Sequence, residues 1–148
     1  MLYNRSPLGY TVNIMKLKTS TSILPVMLSR VSAGFPSPAD DYLEGKISFD
    51  ELLIKNKPAT YLMRVSGDSM VDAGVYDSDL LVVDRSIKPV HNKFVVACVE
   101  SEYTLKRFCL VGGQVVLKAE NKNYSNIAVG QNQEFSIFGV VTAIIRTT

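Results

Sequence analysis

The sequence predicts a mainly β protein in which an extended N-terminal arm and short N-terminal helices precede a β-rich domain. Residues 1–33 show no sustained hydrophobic period and are interrupted by Pro7 and Pro25. From Thr60 onward, short runs rich in Val, Ile, Phe and Tyr alternate with turn residues. With 148 residues, of which 47% are apolar, the chain is long enough to bury one core. We therefore divide it into an arm, residues 1–33, and one domain, residues 34–148.

The arm is basic and the domain is slightly acidic. Residues 1–33 carry +4 because they contain Arg5, Lys16, Lys18 and Arg30 and no acidic residue. The remaining 12 basic and 14 acidic side chains give −2, so loss of the arm would reverse the sign of the net charge. Four scattered charges do not form the cluster that follows a phosphate backbone, and no helix-turn-helix pattern is present. We therefore expect no direct DNA binding.

The expected location is the cytoplasm, without membrane association. No apolar run approaches the roughly 18 residues that a spanning helix needs, and no signal-peptide core follows Arg5. Cys98 and Cys109 lack the C-x-x-C spacing of redox and zinc sites. A hairpin turn near Ser101 and Glu102 would place Cys98 opposite Leu105, so we expect two free thiols.

Two short helices are predicted before the strands. The pair Ser37–Pro38 is typical of a helix start and predicts a helix that includes residues 42–44 and ends at the following glycine. Ser48 and, three residues later, Glu51 match a capping box and predict a second helix over residues 50–54.

Six strands are predicted after Pro58, with hairpin turns at residues 100–102 and 112–113. The last strand is apolar on both faces, so it either lies centrally in the sheet or is covered by a partner. Of these alternatives we favour a homodimer interface. The predicted strands are Thr60–Val65, Leu80–Asp84, Lys93–Val99, Tyr103–Leu110, Gln114–Ala119 and Ser136–Arg146.

The segment from Val65 to Met70 is the candidate for a nucleophile. Gly67 permits a sharp bend, and Ser69 follows where the chain would turn into a short helical piece. A serine in this position can expose its hydroxyl beside backbone N–H groups, as acyl transfer requires. The commoner role of a serine in such a sequence is to cap a loop, and the residues alone leave both roles open.

A serine nucleophile needs a base, and Lys106 is the best candidate. The only histidine, His91, lies in a polar loop, and Asp72 occupies the position that a local S-x-x-K motif would give to lysine. Lys106 lies in mid-strand among apolar and aromatic residues, and burial can lower the pKa of a lysine by up to roughly 3–5 units. The alternative is that Lys106 and Arg107 lie on a solvated strand edge.

We expect neither a metal nor a cofactor. The run Asp77-Ser78-Asp79 lacks the further ligands of a calcium loop, and no glycine pattern matches a phosphate-binding loop. The aspartates are predicted to be turn formers and solvated charges; they are Asp72, Asp77, Asp79 and Asp84.

Several segments together resemble the LexA-type self-cleaving proteins, and more narrowly the UmuD family with its plasmid-borne relatives. The resemblance covers about residues 33–148. It is carried by Ser66-Gly67-Asp68-Ser69-Met70, Gly74, Asp77–Asp84, Phe35–Ala39 and Phe138–Val141.

The resemblance implies a fold and a site. The fold would be the mainly β body called a β-clip. Ser69 would attack a peptide bond of its own chain, Lys106 would be the general base, and the backbone N–H groups of Ser69 and Asp68 would form the oxyanion hole. The cut would fall between Ala33 and Gly34, which are small and leave the backbone accessible.

The resemblance also implies partners. A RecA filament on single-stranded DNA, formed after DNA damage, would stimulate the cut as part of the SOS response. The product, residues 34–148, would be a homodimer that joins a UmuC-like Y-family DNA polymerase in error-prone translesion synthesis. An alternative is a non-catalytic polymerase-binding scaffold with a vestigial protease fold.

Overall fold

The computed structural model describes residues 4–5, 11–12, 23–28, 30–36, 42–130 and 133–148. The chain forms two compact units, Met1–Asp50 and Glu51–Thr148.

Two strand pairs make up the first unit within the described residues. Strand β1 (Asn4–Arg5) pairs antiparallel with β2 (Thr11–Val12). Strand β3 (Ile23–Met27) pairs antiparallel with β4 (Leu43–Ser48). The predicted cleavage bond therefore lies in the segment that connects β3 to β4.

The first predicted helix is wrong over its described part. Residues 37–41 lie outside the described residues, but Leu43 and Glu44 belong to β4. Cap signals favour only a short helix, which is marginal by itself, whereas the pairing with β3 satisfies the backbone of this segment along five residues.

The second helix is present as α1 (Phe49–Leu53), directly after β4. The predicted cap does not form, because the hydroxyl of Ser48 is buried and has no hydrogen-bond partner among the described residues. None of the helices in the described ranges is both long and apolar enough to cross a membrane.

Seven strands of the second unit form one antiparallel sheet within the described residues, in the order β10-β9-β8-β7-β11-β6-β5. All six predicted strands are present with ends within one residue of the prediction, and the mainly β fold class is confirmed. Short 3₁₀ helices span Lys57–Ala59 and Val71–Ala73. The strands are β5 (Thr60–Arg64), β6 (Leu80–Asp84), β7 (Phe94–Val99), β8 (Glu102–Val111), β9 (Gln114–Lys118), β10 (Ile127–Ala128) and β11 (Phe135–Ile145).

The register of the β7–β8 hairpin differs from the prediction. Cys98 faces Tyr103, not Leu105, because the loop consists of Glu100 and Ser101. Both residues have positive φ, 49° and 65°, as a two-residue type I′ turn requires. The expectation of free thiols holds, since neither Cys98 nor Cys109 is in a disulfide.

The last strand, β11, is central in the sheet. It pairs with β6 on one side and with β7 on the other. Its apolar character on both faces is explained by this position. The strand is therefore no argument for the homodimer interface that we favoured from the sequence.

Two hydrophobic clusters form the core of the second unit. Adjacent residues of β7, Val95 and Val96, belong to different clusters, as the alternation of side chains along a strand requires. The cluster around Val96 includes Met70 and Val75, which follow the candidate nucleophile. The core thus anchors the loop that carries Ser69.

The register of β11 against β7 shifts between Ile137 and Gly139, and Gly139 provides a test of the packing there. A methyl group added at Gly139 would lie 2.7 Å from Cγ1 of Val83 and 2.9 Å from the carbonyl oxygen of Asp84. We expect Gly139→Ala to lower the free energy of unfolding by about 1–3 kcal/mol in denaturant titration, because a packed core resists added volume. Gly130→Ala is the control, because a methyl group there meets nothing within 4 Å. Equal stability of the two variants would contradict the packing.

Candidate active site

The turn that carries Ser69 is shaped by the residues around it. Gly67 has a φ of +92°, which favours glycine, and its N–H donates to Oδ1 of Asp77 at 2.8 Å. Met70 is 2% exposed in the core. The chain then enters the 3₁₀ helix Val71–Ala73, so the predicted strand–bend–helix arrangement around Ser69 is present.

Lys106 lies in β8, opposite Val95 of β7, and is 6% exposed. Its Nζ donates to Oγ of Ser69 at 3.0 Å. It also donates to Oγ1 of Thr104 at 2.9 Å and to the carbonyl oxygen of Leu105 at 3.0 Å. The structure thus brings the two residues together although 37 positions separate them in the sequence.

Burial lowers the pKa of the Lys106 amine from its ordinary value of 10.5. The three acceptors around Nζ are neutral, and the salt bridges of the described residues lie elsewhere. Within the part of the chain that the structure describes, no carboxylate therefore offsets the loss of hydration. Once neutral, the amine has a lone pair that can accept the proton of the Ser69 hydroxyl.

Backbone donors lie beside Ser69. In the part of the chain that the structure describes, the N–H groups of Asp68 and Ser69 donate no hydrogen bond. Backbone N–H groups that stay unpaired beside a nucleophile can bind the oxygen of a tetrahedral intermediate.

A pocket of about 180 Å³ opens at Ser69. Its wall includes apolar side chains from β5, β6, β7 and β8 and from the turn Val65–Met70 that carries Ser69, which we call the nucleophile turn. A pocket of this volume with an apolar wall suits a small apolar side chain. The apolar lining residues are Met63, Val65, Met70, Leu81, Val96 and Leu105.

The predicted cleavage bond lies in an exposed segment of the first unit. Ala33 and Gly34 are exposed, and the N–H of Gly34 donates to Oγ of Ser32 at 3.2 Å. The neighbours Val31 and Phe35 are 98% and 92% exposed. The backbone of this segment is therefore accessible within its own unit.

Among the described residues, His91 forms no hydrogen bond with Ser69 or Lys106. Its Nδ1 accepts a hydrogen bond from the N–H of Leu110 at 3.0 Å. Among the residues that the structure describes, no three His, Cys, Asp or Glu side chains are grouped as metal ligands would be.

Two of the aspartates interpreted as solvated charges are buried. Asp79 is 2% exposed and pairs with Arg146, which with the backbone N–H of Tyr76 holds the pKa of the Asp79 carboxyl below its usual value. Asp84 is 3% exposed and accepts hydrogen bonds from the N–H and hydroxyl of Ser86. Local composition could not show this, because the burial arises from strands and loops that are distant in sequence.

Sequence reasoning also missed the turn at residues 120–124, which contacts the backbone on both sides of Ser69. The N–H of Glu120 donates to the carbonyl oxygen of Ser69 at 2.8 Å, and Nδ2 of Asn121 donates to that of Asp68 at 3.0 Å. The hydroxyl of Tyr124 donates to Oδ1 of Asp68. The only local signal is a polar, turn-rich run, which many surface loops share.

The sequence is similar to known proteins over most of its length. Residues 25–142 match the family Peptidase S24-like. Protein MucA of Salmonella typhimurium is 42% identical over 120 residues, which are 80% of this chain and 82% of MucA. Protein ImpA of Salmonella typhimurium is 39% identical over 126 residues, 85% of this chain and 86% of ImpA.

The chain is also similar to part of a repressor. The LexA repressor of Colwellia psychrerythraea is 42% identical over 122 residues, which are 82% of this chain and 57% of the repressor. These matches confirm the resemblance to LexA-type proteins and, more narrowly, to UmuD-type proteins. The chain belongs to the Peptidase S24-like family.

Proposed function

We propose that the protein is a self-cleaving serine protease in which Ser69 is the nucleophile and Lys106 is the general base. The observation that carries this proposal is the 3.0 Å hydrogen bond between Nζ of Lys106 and Oγ of Ser69, formed by an amine that is 6% exposed. Family membership supports the reaction class. The reaction is hydrolysis of the bond between Ala33 and Gly34.

The neutral amine of Lys106 takes the hydroxyl proton as Oγ of Ser69 attacks the carbonyl carbon of Ala33. The backbone N–H groups of Ser69 and Asp68 hold the negative oxygen of the tetrahedral intermediate. When the intermediate collapses, the protonated Lys106 returns the proton to the amino group of Gly34, which leaves. Water then attacks the ester at Ser69, Lys106 takes its proton, and Ser69 regains its hydroxyl as the carboxyl group of Ala33 is released.

The substrate is tethered, so binding energy is not needed to recruit it. A tethered substrate would be cut at once unless the cleavable pose were rarely populated. A partner that stabilises that pose would start the reaction by population shift. By resemblance to UmuD-type proteins, the proposed partner is a RecA filament on single-stranded DNA in the SOS response.

After the cut, residues 34–148 act in the cytoplasm as a homodimer and as the accessory subunit of a UmuC-like Y-family DNA polymerase in translesion synthesis. Resemblance to the UmuD family supports this part of the proposal. Loss of residues 1–33 removes four positive charges, so the product has a net charge of −2. The net charge that the protein presents to partners thus changes from positive to negative.

The cut is tested by mass spectrometry after alkaline incubation of the purified chain. We expect a fragment that begins at Gly34. Its rate of formation should fall at least about a thousandfold in Ser69→Ala and in Lys106→Ala, since each removes a group that the chemistry needs. His91→Ala should cleave like the wild type.

Activated RecA should raise the rate of the same cut at neutral pH. A chain that yields no such fragment, with RecA or in alkali, would contradict the protease proposal and favour the vestigial scaffold. A normal rate in Lys106→Ala, or a loss of cleavage in His91→Ala, would instead reassign the base.

The pH dependence of self-cleavage should follow the Lys106 amine. Because burial lowers its pKa, the neutral form accumulates below the ordinary value of 10.5. The rate without RecA should rise about tenfold per pH unit and then reach a plateau. The midpoint of this rise should lie below pH 10.5. A rate that still climbs through pH 10.5, measured by fragment yield against time, would contradict the buried base.

Lys106 should also destabilise the folded chain at neutral pH. Its folded pKa is lowered, so the unfolded state binds the proton more tightly, and stability rises as pH increases from the folded pKa towards 10.5. We expect Lys106→Met to raise the free energy of unfolding at pH 7 by about 1 kcal/mol or more. The gain over the wild type should shrink in alkali.

The matched control for this measurement is Lys118→Met, on the neighbouring strand β9, where the lysine is exposed. Denaturant titrations at pH 7 and pH 10 should show little difference between this variant and the wild type. A Lys106→Met chain that is less stable than the wild type at pH 7 would contradict the cost assigned to the buried amine.

A further inference from the structure

The segment Glu120–Tyr124, which we call the 120–124 turn, holds both peptide groups that flank Ser69. The carbonyl oxygen of Asp68 accepts from Nδ2 of Asn121, and that of Ser69 accepts from the N–H of Glu120. A further bond, from the N–H of Asp72 to the carbonyl oxygen of Glu120 at 2.8 Å, extends the contact. The backbone around the nucleophile is thus attached to one neighbouring turn.

The orientation of the Asn121 amide is set within the turn itself. Oδ1 of Asn121 accepts from the N–H of Asn123 at 3.0 Å, and the carbonyl oxygen of Asn121 accepts from the N–H of Tyr124 at 3.0 Å. With its oxygen used in this way, Asn121 presents its NH₂ group to Asp68. The side chain is therefore a donor to the nucleophile turn.

The 120–124 turn is also tied to the strand that carries the lysine. Arg107, the residue after Lys106, forms a salt bridge with Glu120. Its guanidinium lies over the ring of Phe94, 4.7 Å from the ring centroid, and donates to the carbonyl oxygen of Asn92. The turn thus has a support on β8, the strand that also carries Lys106.

A trans peptide group is planar, and its C=O and N–H point in opposite directions. The carbonyl of Asp68 and the N–H of Ser69 belong to the same peptide group. By holding the Asp68 carbonyl, Asn121 fixes the direction of the Ser69 N–H, which donates no hydrogen bond within the described residues. An oxyanion donor is effective when it is aimed before charge develops.

We infer that Asn121 is a positioning residue, which aims the N–H of Ser69 at the oxyanion by holding the carbonyl of Asp68. The inference rests on the proposed self-cleavage and adds a residue to it. Asn121 does not touch the reacting atoms. Its loss should slow the step that needs the oxyanion donor and leave the activation of Ser69 by Lys106 intact.

Two substitutions remove the donor in different ways. Asn121→Asp keeps the acceptor that the N–H of Asn123 needs but has no N–H to offer, and Asn121→Ala adds no charge. We expect both to lower the plateau rate of self-cleavage in alkali by about 10–100-fold, less than the loss of an oxyanion donor itself. In Asn121→Ala the midpoint of the pH profile should not move.

The matched control is Asn126→Ala. Asn126 also uses its side chain to hold the backbone of this region, accepting from the N–H of Ala119 at 3.1 Å. Within the described residues it forms no hydrogen bond with the nucleophile turn. It should cleave within about twofold of the wild type. Thermal unfolding of each variant shows whether a slow rate reflects a chain that has not folded.

A second readout separates the oxyanion donor from the base. In a Ser69→Cys chain, alkylation of the new thiol by iodoacetamide needs a thiolate but no oxyanion donor. Mass spectrometry distinguishes it from Cys98 and Cys109. Adding Asn121→Ala to this chain should change the alkylation rate at position 69 by less than about twofold.

The outcomes distinguish a failure of the proposed self-cleavage from a failure of the role inferred for Asn121. A wild-type chain that does not cut itself would overturn the proposed function, and this inference with it. If the wild type cuts, the inference alone is overturned by normal cleavage in both Asn121 variants, by a shifted pH midpoint in Asn121→Ala, or by alkylation that falls as far as cleavage does.

Discussion

The hydrogen bond between Lys106 and Ser69 is formed by a buried amine that has no counter-charge among the described residues. A lysine on a solvated edge would be protonated and mobile, whereas this one is surrounded by strands of one sheet and has only neutral acceptors. Burying the amine destabilises the folded chain. The hydrophobic clusters of the core offset this cost. Stability is thereby exchanged for an amine that can lose its proton below its ordinary pKa.

The nucleophile turn needs equally firm support, because its own sequence does not provide it. Met70 inserts into the core, Asp77 accepts from the N–H of Gly67, and the 120–124 turn holds the carbonyls of Asp68 and Ser69. These contacts come from three parts of the chain. Among the described residues they leave the N–H groups of Asp68 and Ser69 without a hydrogen bond, beside a hydroxyl that contacts Lys106. Unpaired donors in this position are what acyl transfer requires.

Under the proposed function, control acts on the substrate segment and not on the catalytic pair. The bond between Lys106 and Ser69 is already formed in a chain that still carries residues 1–33. The segment around Ala33 and Gly34 is exposed within its own unit and connects two paired strands, β3 and β4. A partner would therefore need only to favour one pose of this segment, a smaller task than assembling a site.

Much of the fold could be predicted from local sequence, because strand residues and turn residues alternate clearly after Thr60. The six strands, the glycine turn at 112–113 and the bend at Gly67 follow from the preferences of a few neighbouring residues. The motif around Ser69 and the mid-strand position of Lys106 marked these residues as candidates, and the family resemblance then favoured their catalytic roles over the structural alternatives. Only the tertiary structure decided the burial of Lys106, the central place of β11, the strand at Leu43–Ser48 and the contact of Asn121 with Asp68. Each of these depends on contacts between residues far apart in the chain, and such contacts leave no local pattern in a single sequence.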